Sequence, residues 1–116
     1  MRRRNLFDSP AALLEHEFGQ EKASALGRLG RALEAAIAAL AEFDAQHPHS
    51  ETPTADDKRS RAELVSQASR ALWHFVVQRE ACGLRDMRLV LRDYRVPPEV
   101  AARIGAWPEI AVRQRR

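Results

Sequence analysis

The chain has 116 residues, 45% of them hydrophobic and 30% charged, with five glycines, one cysteine and a net charge of +3. That is enough for one domain around a single core, and it excludes a disulfide-stapled miniature, a repetitive or low-complexity chain and a wholly disordered one. The lone Cys82 has no partner within the chain, no apolar run nears the ~18 residues of a membrane span, and Met1 to Arg4 lead into Asn5 to Pro10 rather than a signal-peptide apolar region. A cytoplasmic protein is the expectation.

The charge is uneven. Residues 1–57 hold 6 Lys and Arg against 10 Asp and Glu, and residues 58–116 hold 13 against 6. A basic half can mark nucleic-acid binding, or it can attract the acidic half within one chain or between copies. Because 17 of the 19 basic residues are arginine, a GC-rich genome also accounts for part of the excess.

Residues 1–8 read as a frayed basic start. Ser9-Pro10 is a helix-opening pair, with serine as N-cap and proline where a missing N–H costs nothing. From there to about Gln46 no proline intervenes, and Leu14, Phe18, Leu26, Leu29, Leu33, Ile37, Leu40 and Phe43 or Asp44 recur at helical spacings. The spacing predicts one long helix. Gly19, Ala23, Gly27 and Gly30 form a second line of small residues, which predicts close approach of another helix; a kink near Gly27 to Gly30 is the competing reading.

Residues 47–59 contain two prolines and no apolar period and read as a flexible connection, floppy linker or functional loop. Ser60-Arg61-Ala62-Glu63 has the capping-box form, so the next helix is expected to start there. This central helix carries Leu64, Val65, Ala68, Leu72, Phe75 and Val76 inward, with Trp73 and Val77 on its far side. At 1.5 Å per residue it reaches roughly 35 Å against roughly 55 Å for the first helix, so the first overhangs the second.

Gly83 is placed to close the central helix in a left-handed conformation, with Leu84 as the apolar residue after it. A third helix from Arg85 has Met87, Val90, Leu91 and Tyr94 inward and Arg85, Arg88, Arg92 and Arg95 on the opposite side. Val96-Pro97-Pro98 breaks it. Pro98 opens a fourth, with Val100 and Ile104 inward and Gly105 at its end; Trp107 is expected to dock on the core and residues 106–116 to form a tail. The fold expected is all-α: one domain over 1–116, a long helix antiparallel to a central helix as a hairpin, two or three short C-terminal helices, and completion by dimerisation.

Chemistry is sparse. Cys82 near His74 or His16 is better read as a small half-hydrophobic thiol than as a nucleophile. His47, His49, Glu51, Asp56 and Asp57 lack the helical pairings of a metal site and read as a solvated loop. No glycine-rich loop lies between a strand and a helix to cradle phosphate. A non-enzymatic protein with no catalytic residue, metal or cofactor is therefore expected.

Two binding readings stand. Trp73, Val77 and Leu89, with the overhang, are more apolar surface than one copy covers, which predicts a homodimer and an interaction role. The alternative is a small DNA-associated regulator: Leu84 to Tyr94, the Val96-Pro97-Pro98 turn and Glu99 to Ile104 have a helix-turn-helix cadence, with Arg85, Arg88, Arg92, Arg95 and Arg103 as candidate phosphate contacts. Leu91 and Arg95 depart from that motif's small residue and turn glycine, and Glu99, Ala102 and Arg103 are a poor set for reading bases.

At WHFVVQREACGLRD (Trp73 to Asp86), YRVPPEVAARIG (Tyr94 to Gly105) and, less closely, GQEKASALGR (Gly19 to Arg28), the chain resembles a family of small helical bacterial proteins of unknown function. The resemblance implies an all-helical protein and carries over no active residues.

Overall fold

The computed structural model describes residues 10–48 and 52–104. The expectations that fall on residues 1–9, 49–51 and 105–116, including Ser9, His49, Gly105 and Trp107, lie outside the described residues. Four helices succeed one another along the chain: α1 Pro10–Gln46, α2 Ala55–Ala81, α3 Met87–Asp93 and α4 Pro98–Arg103. Among the described residues there is no strand, so the all-α hairpin with short C-terminal helices is the fold.

α1 is one unbroken helix, rich in Ala, Leu and Glu, which lose little side-chain freedom in helical form. Gly27 and Gly30 do not break it. The expected close approach occurs at Gly30 alone, where a β carbon would stand 2.8 Å from the Tyr94 hydroxyl and 3.4 Å from the Phe75 ring. The approaching groups are side chains of α2 and of the residue after α3. A β carbon on Gly27 would meet only the Arg31 side chain, and on Gly19 nothing within 4 Å.

α2 begins at Ala55, five residues ahead of the expected start at Ser60, so residues 55–59 belong to the helix rather than to the connection. The capping box is real but lies earlier. The Thr54 hydroxyl accepts from the Asp57 N–H at 3.0 Å, and the Thr54 N–H donates to the Asp57 carboxylate at 3.2 Å. Asp56 and Asp57 in the first turn also oppose the positive end of the helix dipole. At the other end Gly83 takes φ +82°, the Leu84 N–H donates to Arg79 C=O at 2.8 Å and the Gly83 N–H to Glu80 C=O at 2.9 Å. This pair of bonds is the Schellman closure that a glycine makes easy.

α3 ends in the same way without a glycine. The Val96 N–H donates to Leu91 C=O at 3.0 Å and the Arg95 N–H to Arg92 C=O at 3.1 Å, with Arg95 itself at φ 51°. Asp86 caps the start of α3 by accepting from the Arg88 N–H at 3.1 Å. Pro98 opens α4, as the fixed φ of proline favours.

Two contacts fix the hairpin register. Gly30 faces Phe75, and Asp44, fourteen residues further along α1, pairs with Arg61, fourteen residues back along α2. The helices therefore run antiparallel in step. The same register sets Ala81, the end of α2, opposite Ser24, so Pro10 to Ala23 extend past it by about 21 Å. The radius of gyration, 19.4 Å, exceeds the roughly 13 Å of a compact chain this long.

The core lies between α1 and α2, capped by α3 and α4: Leu33, Leu40, Val65, Ala68, Leu72, Phe75, Val76, Val90, Val100 and Ile104 are buried, and Met87, Leu91 and Tyr94 pack against them. Among the described residues, Ser69 is the buried polar side chain. Its hydroxyl proton faces the carbonyls of Val65 at 2.8 Å and Val100 at 3.0 Å. Val100 is in the last turn of α4, where carbonyls lack helical partners, so Ser69 satisfies one of them and holds α4 on α2.

Candidate interaction surface

The C-terminal helices cover one edge of the hairpin. Tyr94 sits over Gly30, and a shallow groove of about 650 Å³ lies between Glu34, Ile37, Ala38 and Ala41 of α1 and Tyr94, Arg95 and Pro97. Arg61 anchors the far end. Its guanidinium donates to Asp44 at 2.8 and 3.1 Å and to Glu99 at 2.9 Å and through a second contact, tying α1, α2 and α4 together. The Glu99 carboxyl is held below its ordinary value by hydrogen bonds from Arg61, and the paired carboxylates push Arg61 up.

Among the described residues, no helix packs on the opposite edge of α1. At 100° per residue, Leu14, Phe18, Ala25, Ala32, Ala36 and Ala39 form a line roughly 150° round the helix from Gly30, Glu34, Ile37 and Ala41. Leu14 is 53% exposed and Phe18 58%. Ala32 and Ala39 are exposed, Ala25 is half-buried, and Ala36 is half-buried against the core. Two halves differ in size: large apolar side chains stand on the overhang, and alanines on the stretch beside α2. Glu21 and Arg28 lie on the same edge, seven residues apart and both exposed.

Trp73, Val77 and Leu89 are each exposed, at 40, 44 and 40%. Trp73 and Val77 lie on the side of α2 turned away from α1, and Leu89 is on α3, so the three candidates do not share the bare edge of α1. Leu84, expected to make an apolar contact, is 45% exposed. Arg85, Arg88, Arg92, Arg95 and Arg103 are exposed as well. Arg92 bonds its neighbour Asp93 at 3.1 Å, and Arg103 borders a small groove with Lys58, Arg61 and Glu99.

His47 belongs to the α1–α2 connection. Its ring stacks on Phe43 at 4.0 Å, its Nδ1 lies 2.9 Å from Phe43 C=O and its Nε2 3.5 Å from the Asp57 carboxylate. The Asp57 carboxyl is lowered chiefly by the hydrogen bonds from Thr54, with His47 adding to it. Cys82 is half-buried at the α2 C-cap, and among the described residues no group of three or more His, Cys, Asp or Glu side chains is placed to hold a metal ion.

The Arg61 clamp was not foreseen from the sequence. Its members are 17 and 38 residues apart, and the available signal was Asp44 standing where the apolar stripe of α1 calls for a hydrophobic residue.

Fold and surface together define, over the described residues, an all-helical hairpin protein, covered on one edge by its own short helices and bare on the other. The chain belongs to a family of unknown function (DUF6665), whose family model spans residues 4–112. No curated protein and no solved structure matches it. No helix among the described residues is long and apolar enough to cross a membrane.

Proposed function

We propose that the protein is a non-enzymatic interaction module that works as a homo-oligomer. The observation that carries this reading is the bare apolar edge of α1, with Leu14 and Phe18 more than half exposed on a helix that outruns its partner by fourteen residues. A helix of that length with an exposed apolar stripe is stabilised in water chiefly by packing against something. Trp73, Val77 and Leu89 add further apolar surface on which a protein partner can rest. Light scattering across a concentration series tests the reading: mass above that of one chain at micromolar concentration supports it, and one-chain mass at high micromolar concentration contradicts it.

A DNA-associated role draws less support. α4, which would be the recognition helix, has six residues, Val100 turned into the core and Glu99 engaged by Arg61. What is left outward is Ala102 and Arg103, too little to read base edges.

A further inference from the structure

We infer that the partner on the bare edge of α1 is a second copy of this chain, laid antiparallel about a two-fold axis that passes between Ser24 and Ala25. This deepens the self-association reading above and rests on it. The two halves of the edge are complementary to each other. An axis at that point sets the overhang of one copy along the alanine stretch of the other, so that Leu14 falls within a residue of the level of Ala36 in the second copy, and Phe18 within a residue of its Ala32.

Large side chains then meet small ones, which lets the two helices approach toward the lower end of the 8–10 Å range of helix packing. Both sides of the pair are the same surface, so the contact closes at two copies and does not propagate.

Charge fits the same axis. Glu21 and Arg28 lie equally far before and after it, so each Glu21 meets the Arg28 of the other copy, twice over. An axis displaced by a turn would set Glu21 near a like charge or an alanine instead. Area fits as well. Residues 10–39 span about 45 Å, and with the adjoining flank of α2 the strip is up to two helix widths across, on the order of 800 Å² per copy, which is the standard size of a stable interface. Among the described residues, the short helices α3 and α4 already lie on the opposite edge.

Cysteine cross-linking tests the axis. In a Cys82→Ser background, Ala25→Cys places a thiol within a residue of the axis and on the contact line, inside the Cα separation a disulfide spans. Gln20→Cys lies on the opposite side of the same helix and serves as the control. Mild oxidation is expected to convert most of the Ala25→Cys protein to a covalent dimer and to leave the Gln20→Cys protein uncoupled.

A second variant pair reads the charges. Glu21→Arg should raise the dimer dissociation constant about tenfold, and adding Arg28→Glu should restore it, since two equivalent pairs are reversed together.

A dimeric protein in which Ala25→Cys does not couple, in which Gln20→Cys couples equally, or in which Arg28→Glu fails to rescue, would overturn this arrangement and leave self-association standing. A monomer at high micromolar concentration would overturn both.

Discussion

The hydroxyl of Tyr94 rests against the α1 backbone at Gly30, 2.8 Å from where a β carbon would be. Tyr94 also meets the Phe75 ring edge-on at 5.1 Å, so this glycine is the point at which α1, α2 and the end of α3 come together. A β carbon at this position would require Tyr94, a residue from outside the hairpin, to shift.

Gly30→Ala should therefore destabilise the protein by roughly 1–2 kcal/mol, the overpacking penalty exceeding the ~1 kcal/mol that alanine gains in a helix. In a Tyr94→Phe background the hydroxyl is gone, and the same substitution should become neutral or mildly stabilising. Denaturant unfolding of the four proteins of this cycle measures the coupling. Equal effects in both backgrounds would place the constraint elsewhere.

Arg61→Ala should cost about 1–2 kcal/mol, since it removes charge-assisted bonds to Asp44 and Glu99 at once, less the solvent screening of a one-third exposed group. Arg61→Lys should recover only part of this, because lysine cannot bridge two carboxylates with a planar fork. Thermal unfolding of the three proteins decides it.

Arg95 holds a left-handed conformation at φ 51°, which strains a residue with a β carbon by roughly 1–2 kcal/mol. Arg95→Gly should relieve this while loosening the unfolded chain, for a net gain of about 0.5–1 kcal/mol. A lower unfolding midpoint would show that the arginine side chain makes a contact worth more than the strain.

Acid should weaken the fold through Glu99 and Asp57. Both carboxyls are lowered in the folded chain, Glu99 by Arg61 and Asp57 by Thr54. Their contribution is complete above the ordinary carboxylate values of the unfolded chain and is lost as pH falls through the lower folded ones. The unfolding temperature should thus be flat near neutrality and drop below about pH 4, and Arg61→Ala should flatten the Glu99 part of that drop.

Much of the architecture was legible because local rules and packing agree. Gly83, Pro98 and the inward sets of α2, α3 and α4 follow from capping chemistry and helical spacing, and all of them hold. The start of α2 misled because Ser60-x-x-Glu63 has the form of a capping box while Thr54-x-x-Asp57 makes the actual one, and two acids in the first turn favour the earlier start.

The Arg61 clamp stayed hidden because its partners are distant in sequence, and spacing says nothing of distant pairs. The bare edge was half legible. Leu14 and Phe18 were visible as a stripe, but only the hairpin register shows that α2 stops at the level of Ser24 and leaves them outside.

The most direct measurement of the central claim is the solution mass of the native protein beside that of a Leu14→Asp/Phe18→Asp variant. Both side chains are more than half exposed in one copy, so the substitutions should leave the stability of the hairpin within about 1 kcal/mol, with any loss of helical content confined to the overhang. The account predicts twice the chain mass for the native protein and the single-chain mass for the variant. A native protein that is already monomeric at high micromolar concentration, or a variant that keeps the native mass, would contradict it.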